Sequence, residues 1–85
     1  MIRVRCMGHI KSSLGSDFVE LQESDLTASE LVQKLRERAI EKEPGFNAYN
    51  TLALVGHGEA FVPATSGRKI SSGDEVVLIP FSHGG

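Results

Sequence analysis

The chain is poor in cysteine and has no tryptophan. Its 85 residues include one cysteine. A single cysteine cannot form an internal disulfide, so a hydrophobic core has to hold the domain together, and a reducing compartment, the cytoplasm, is expected. One thiol also excludes the iron–sulfur ferredoxins, because their clusters need four thiolates.

Long apolar runs and an excess of positive charge are absent as well. No segment approaches the roughly 20 apolar residues of a transmembrane helix, and residues 1–5 lack the continuous apolar stretch of a signal peptide. The net charge is −2, which gives no electrostatic basis for binding nucleic acid or an anionic membrane. We expect one soluble, intracellular domain with neither of these as a partner, because a chain this short buries a single core.

The sequence also lacks motifs for phosphate and metal binding. It has no G-x-x-x-x-G-K-[ST] loop, and Gly56-His57-Gly58 is too short to form one. The histidines His9, His57 and His83 lie in separate segments, with no i, i+4 pair and no Cys-x-x-Cys motif. We therefore expect no metal, no bound cofactor and no ATP-using catalytic site in this chain.

Alternating patterns predict two strands at the start of the chain. Apolar and charged residues alternate over residues 2–6, and residues 18–21 supply a second strand. The polar segment 11–16 contains Gly15 and predicts a turn, so the opening is expected to be a hairpin with a long loop. Cys6 falls on the apolar face, which favours a buried core residue over a nucleophile.

A helix is predicted to follow. Thr27-Ala28-Ser29-Glu30 fits a capping box, in which the Thr hydroxyl and the Glu carboxylate bond the exposed N–H groups of a helix start. Apolar residues then recur at helical spacing on one side, and Pro44-Gly45 is expected to end the helix. The one-sided apolar stripe, Leu31, Val32, Leu35 and Ala39, predicts packing across one face of a sheet.

The second half of the chain predicts further strands. Residues 52–55 form a short buried strand, residues 56–59 a turn, and residues 60–65 an edge strand that tolerates Pro63. Residues 75–81 are apolar on both faces, which indicates a central strand. The predicted fold is an α+β roll of the ubiquitin type: a mixed sheet of four to five strands with one covering helix.

The printed sequence ends in Ser82-His83-Gly84-Gly85, directly after the last predicted strand. Two consecutive glycines give a thin, flexible strip of backbone that can thread a narrow channel, and a terminal pair arises by chance in only about 0.5% of chains. We expect a domain over residues 1–81 and a flexible tail over residues 82–85. A frayed end without function is the alternative for the tail.

With these elements the chain resembles the ubiquitin-like β-grasp sulfur carriers. That family includes MoaD of molybdopterin synthase, ThiS of the thiazole pathway and the ubiquitin-related modifiers of tRNA thiolation. The resemblance rests on the strand order, on residues 54–59 and above all on residues 70–85, which are similar to the family ending L-x-D-G-D-E-V-x-h-x-P-P-x-x-G-G. Ser72, His57 and Phe81 depart from that pattern, and the His-Gly-Gly ending looks more like the ubiquitin-related modifiers.

The resemblance implies a carrier that is itself the substrate, not an enzyme. In the family, a partner activating enzyme uses ATP to adenylate the C-terminal carboxylate, and a persulfide donor then yields a thiocarboxylate. The resemblance places that attachment on Gly85, with Gly84 and His83 in the tail that enters the partner's active site. Pro80 and Phe81 are expected in the docking surface, and closing the core is the alternative for Phe81.

The acceptor of the sulfur stays open at this point. A molybdopterin precursor, a thiazole intermediate and a tRNA nucleoside all fit, and the first would add a synthase large subunit as a partner. The alternative function is a protein modifier joined through Gly85 to lysines of target proteins. A third alternative is an interaction domain whose tail is inert.

Overall fold

The structure is a computed structural model that describes residues 1–40, 45–57, 60–65 and 67–81. The predictions for His83, Gly84 and Gly85 and for the tail as a whole concern residues outside these ranges. Within the described ranges the chain forms five strands and two helices: β1 (Ile2–Cys6), α1 (Gly8–Leu14), β2 (Phe18–Leu21), α2 (Ala28–Glu37), β3 (Thr51–His57), β4 (Ala60–Pro63) and β5 (Glu75–Pro80).

The strands form one mixed sheet in the order β2-β1-β5-β3-β4. β1 pairs antiparallel with β2 and parallel with β5, whereas β3 pairs antiparallel with both β5 and β4. β5 therefore lies in the middle of the sheet, as its apolar residues on both faces predict. Because the last strand is central, the point at which the tail begins is held from both sides.

One face of the sheet is covered and the other is open. On β1, Ile2, Val4 and Cys6 are buried while Arg3 and Arg5 are exposed, so the side chains alternate between an inner and an outer face. The buried side of α2 joins the inner face in a single core: Ile2, Val4, Cys6, Ile10, Leu21, Leu26, Leu31, Val32, Leu35, Phe46, Ala53, Val55, Ile70, Val76 and Leu78.

The predicted capping box is present at the start of α2. The Glu30 amide donates to the Thr27 hydroxyl at 3.2 Å, and the Thr27 amide donates to the Glu30 carboxylate at 2.9 Å. These bonds satisfy two amides that the helix itself leaves without partners. The hydrogen bond from the Thr27 amide also holds the pKa of the Glu30 carboxyl below its ordinary value.

We expect Thr27→Ala to lower the free energy of unfolding by about 1 kcal/mol, the usual effect of losing a helix cap. Urea unfolding followed by circular dichroism measures it. Ser29→Ala, at the second residue of the same helix, is the control and should not be destabilising, because alanine has the higher helix propensity. Since the folded state lowers the Glu30 pKa, the box is intact at neutral pH and its contribution is lost as the pH falls through that lowered pKa. Equal midpoints for the Thr27 variant and the wild type would contradict the prediction.

The structure adds a second, short helix, α1, to the single covering helix that the sequence predicts. The segment predicted as a turn, residues 11–16, instead contains most of α1, and Gly15 is its C-cap in the left-handed conformation, with its amide bonded to the Lys11 carbonyl at 2.9 Å. A helix of 7 residues is too short to show a convincing period, and only Ile10 and Ser13 are buried on it.

Several predicted boundaries also shift. α2 ends at Glu37 and not near Pro44, because the chain turns toward α1, where the Ile40 amide donates to the Ser13 carbonyl at 2.8 Å. β3 runs on through Gly56 and His57, which were predicted as a turn, because β4 and β5 pair with it there. β4 ends at Pro63, on the sheet edge where a proline is expected.

Side chains occupy much of the hydrogen-bonding capacity at the other sheet edge. On β2, the Ser16 hydroxyl donates to the Phe18 carbonyl at 2.7 Å and accepts from the Phe18 amide at 3.2 Å. Arg38 donates to the Glu20 carbonyl at 3.2 Å. Such edges are poor templates for a further strand. The open outer face of the sheet is therefore the better surface for a partner.

Candidate functional site: the root of the tail and the outer face of the sheet

The described chain ends at Phe81, immediately before the tail. The Phe81 amide donates to the carbonyl of Asn50 at 2.9 Å, which extends the β5–β3 pairing by one residue. Phe81 is 43% exposed and is not part of the core. Its predicted docking role, like that of Pro80, stays a prediction.

Pro80 ends the pairing between β5 and β1. The Met7 amide donates to the Leu78 carbonyl at 3.1 Å, and in this parallel register an amide at position 80 would donate to the Met7 carbonyl. Proline has no such amide. The Met7 carbonyl instead accepts from the Ile10 amide at 3.2 Å, so α1 begins where the pairing stops.

Gly8 allows α1 to approach the tail root closely, where the tail root means Pro80 and Phe81, the last described residues before the tail. Its φ is +56°, and a Cβ atom built on it would lie 2.8 Å from Cγ of Pro80. Any other residue would be strained in this conformation and would also push against Pro80. Sequence reasoning missed Gly8 because its neighbour in space, Pro80, lies at the other end of the chain.

An asparagine loop, residues 47–50, forms the other side of the tail root. The Asn47 side-chain oxygen accepts from the amides of Tyr49 at 2.8 Å and Asn50 at 3.1 Å. The Asn50 side-chain oxygen accepts from the Asn47 amide at 2.8 Å and from the Thr51 hydroxyl at 3.2 Å. The two side chains therefore fix the loop reciprocally, and Tyr49 between them is 82% exposed.

The outer face of the sheet carries apolar residues that lead to the tail root. On β5, Val77 and Ile79 occupy outward positions, and Phe81 follows in the same alternation. Leu54 is paired beside Val77 and Leu52 beside Ile79, and Leu52 is 38% exposed. Contiguous apolar surface of this kind marks interaction sites.

Two arginines border this apolar surface on its β1 side. The guanidinium groups of Arg3 and Arg5 lie 5.1 and 5.5 Å from the centre of the Phe18 ring, within the range of a cation–π contact. Arg3 is paired beside Glu75, whereas Arg5 is paired beside Val77. The outer face thus combines an apolar centre with a positive charge from Arg5 at its margin.

Cys6 lies in the core, which confirms the sequence prediction. Burial, with a smaller contribution from the negative charge of Asp17, raises the pKa of the Cys6 thiol to about 11. A thiol with that pKa is almost entirely protonated at neutral pH. It is therefore a poor nucleophile and a poor sulfur donor.

We expect Cys6 in the folded protein to react with iodoacetamide at pH 8 about a hundredfold more slowly than in the protein unfolded in urea. A pKa of about 11 leaves about 0.1% thiolate at this pH, and burial blocks access as well. Mass spectrometry of the labelled protein over time measures both rates. Comparable rates in the two states would show that Cys6 is accessible and would contradict this assignment.

The remaining side chains that could hold a ligand are dispersed. No group of three or more His, Cys, Asp or Glu residues suited to a metal occurs within the described ranges. The buried Nε2 atom of His9 has no hydrogen-bond partner among the described residues. For His57 only the backbone is described.

Two open clefts border α2, with volumes of about 400 and about 480 Å³. The described residues that line the first, among them Val32, Thr51 and Ala53, are all uncharged. The second runs along the charged side of α2 to Tyr49. The first cleft therefore has no charge that would select a phosphate or a metal, and the second mixes the opposite charges of Glu30, Lys34, Arg36 and Glu37. No helix in the described part of the chain is long and apolar enough to cross a bilayer.

The mixed sheet with α2 across its inner face is a ubiquitin-like β-grasp fold, as the sequence predicts. The chain is similar to a solved structure of this fold, the crystal structure of SAMP1 from Haloferax volcanii, with a TM-score of 0.66. The alignment covers 99% of this chain and 98% of that one, at 21% sequence identity. At this identity the similarity establishes the fold. No protein-family model and no curated protein sequence matches the chain.

Proposed function

We propose that this protein is a sulfur carrier that is activated at Gly85 by a partner enzyme and carries sulfur as a C-terminal thiocarboxylate. The observation that supports this most is the position of Gly84 and Gly85, four and five residues beyond the end of β5, the strand at the centre of a β-grasp sheet. The hydrogen bond from Phe81 to Asn50 fixes the chain up to that point. The proposal gives residues 1–81 the role of the domain and residues 82–85 that of the tail.

The proposed chemistry begins with a carboxylate. The α-carboxyl group has a pKa of about 3.5 and is ionised at neutral pH, which makes it a poor electrophile. In the partner's active site, an oxygen of this carboxylate attacks the α-phosphorus of ATP, and pyrophosphate leaves. The terminal sulfur of a persulfide then attacks the acyl carbon, and AMP leaves. A thiol finally reduces the acyl disulfide and releases the thiocarboxylate.

In this proposal the catalytic groups belong to the partner. Cys6 is the one thiol of the chain, and it is buried and protonated. ATP accordingly binds to the activating enzyme, and the sulfur comes from a separate persulfide protein. The chain contributes its carboxylate and a surface that the enzyme recognises.

The length of the tail requires the domain to dock. Residues 82–85 span at most about 14 Å when fully extended, at about 3.5 Å per residue. Gly85 can therefore reach only an active site that lies close to Phe81, and the partner has to contact the surface around the tail root. We assign this docking to Pro80, Phe81 and the apolar outer face that continues from them.

The test is intact-mass spectrometry of the untagged protein after incubation with its activating enzyme, ATP and a persulfide donor. We expect a mass gain equal to one oxygen replaced by sulfur, located on Gly85 and alkylated by iodoacetamide under native conditions. Because Cys6 is protected in the folded protein, alkylation reports the tail. An unchanged mass under these conditions, with the enzyme shown to be active on another carrier, would exclude the proposal.

The same acyl-adenylate would support a second function. A lysine amine of a target protein can attack the activated carbonyl and form an isopeptide bond, which makes the chain a protein modifier. The His83-Gly84-Gly85 ending, which looks like that of the ubiquitin-related modifiers, favours this candidate. Digested cell extracts would then contain target lysines that carry the Gly-Gly remnant. The choice of sulfur acceptor belongs to the partners and is tested by adding each acceptor to the thiocarboxylate form.

A further inference from the structure

The inference concerns the asparagine loop, residues 47–50, and depends on the proposed function. This loop receives the Phe81 amide, the last described donor before the tail, through the carbonyl of Asn50. Asn50 lies outside the hydrophobic core and directly before β3, which begins at Thr51. Within the loop, each of the two asparagine side chains bonds the backbone at the other end, and the Asn50 amide also donates to the Asn47 carbonyl at 3.3 Å.

We propose that Asn50 and Asn47 are positioning residues for the activation of Gly85. They hold the Asn50 carbonyl in the position in which it accepts the hydrogen bond from the Phe81 amide. In this way they determine the position of Phe81, from which the tail begins. They do not contact the reacting atoms. Their contribution is to limit the volume that the carboxylate explores once the domain has docked.

The geometry explains why this limit matters. Each further residue released from the sheet adds about 3.5 Å to the reach of the tail. A longer free segment spreads the carboxylate over more positions, while in-line attack on a phosphate tolerates only small errors of placement. A misplacement of about 1 Å can cost about a hundredfold in rate. Loosening of the root should therefore slow the chemical step and leave docking through the outer face intact.

Two substitutions of Asn50 test whether its side-chain oxygen positions the tail for activation. Asn50→Ala removes the oxygen that accepts from the Asn47 amide and the Thr51 hydroxyl. Asn50→Asp keeps that oxygen, loses the long bond from the side-chain amide to the Gly45 carbonyl at 3.4 Å and adds a negative charge. We expect Asn50→Ala to lower kcat for adenylation about tenfold with KM within twofold of the wild type. Asn50→Asp should restore kcat to within about twofold.

The rate is measured by ATP–pyrophosphate exchange with the full-length chain and its activating enzyme. Amide hydrogen exchange at Phe81, measured on the protein alone, should be faster in Asn50→Ala and near that of the wild type in Asn50→Asp. Thr27→Ala is the stability control, because it removes the hydrogen bond from the Glu30 amide to the Thr27 hydroxyl at a helix cap that lies outside the tail root. Its kcat should equal that of the wild type.

Three outcomes would overturn the inference. These are an unchanged kcat in Asn50→Ala, an equal loss in Asn50→Asp, and an equal loss in Thr27→Ala, which would indicate a general effect of stability. Failure of the proposed function gives a different result, because the wild-type chain itself would then support no exchange with an enzyme that is active on another carrier.

Discussion

A chain that lacks Gly84 and Gly85 is expected to lose adenylation by its activating enzyme, with a fall in kcat/KM of at least about a hundredfold. The truncated carboxylate belongs to His83 and starts two residues closer to the domain. It therefore falls about 7 Å short of the position that Gly85 reaches. Under the proposed function, the side chain of His83 would also have to enter the partner's channel, in a place that only glycine backbone is proposed to occupy. ATP–pyrophosphate exchange at a fixed enzyme concentration measures the loss.

A competition experiment separates chemistry from docking in this prediction. Because the docking surface is assigned to Pro80, Phe81 and the outer face, the truncated chain should still bind and inhibit adenylation of the full-length chain. Gly84→Ala is the matched variant of full length and tests whether the channel excludes a side chain. Undiminished adenylation of the truncated chain would contradict the roles that the proposal gives to Gly84 and Gly85.

Gly56→Ala is expected to destabilise the domain by about 3 kcal/mol, at the upper end of the usual effect of overpacking. Gly56 lies in β3 and is paired with Phe61 of β4 and Glu75 of β5. A Cβ atom at this position would overlap the carbonyl oxygen of Ala60 and lie 2.8 Å from its carbonyl carbon. Both atoms belong to the backbone of β4. The overlap can therefore be removed only if β4 moves away from β3. Urea unfolding measures the change, which is a large part of the roughly 5–10 kcal/mol typical of a small domain.

Gly67→Ala is the matched control for this effect. Gly67 has a φ of +83°, and a Cβ atom there would have no neighbour within 4 Å among the described residues. Its substitution therefore costs only the conformational strain of a left-handed residue, about 1 kcal/mol. The difference between the two variants isolates the overlap with β4. If Gly56→Ala is no less stable than Gly67→Ala, the close packing of β4 on β3 is wrong.

The parts of the fold that sequence reasoning predicted correctly are those encoded by neighbours in the chain. The capping box needs only Thr27 and Glu30, which lie three residues apart. The alternation in β1 and the two-sided apolar pattern of β5 are likewise local, and they define the buried face and the central strand. The β-grasp fold follows from the order of these local elements.

The features that escaped prediction depend on contacts between distant residues. Gly8 and Pro80 are adjacent only because β1 and β5 are parallel neighbours. In the sequence, the asparagine loop looks like an irregular connection. Its relation to the tail depends on the hydrogen bond from the Phe81 amide to the Asn50 carbonyl, which joins residues far apart in the chain. The tail stays a prediction from the sequence, and the docking surface proposed beside it depends on the register of the whole sheet.

The central place of β5 also determines when the domain can fold. Arg3 near one end of the sequence is paired with Glu75 near the other, and β3 reaches the rest of the sheet only through β5. Contacts of such long sequence separation form slowly, because the chain between them must first be ordered. During synthesis, β1 and β2 cannot join β3 and β4 in one sheet until residues 75–80 have left the ribosome. A nascent chain shorter than this has no complete sheet, so an activating enzyme that recognises the sheet face would ignore unfinished molecules.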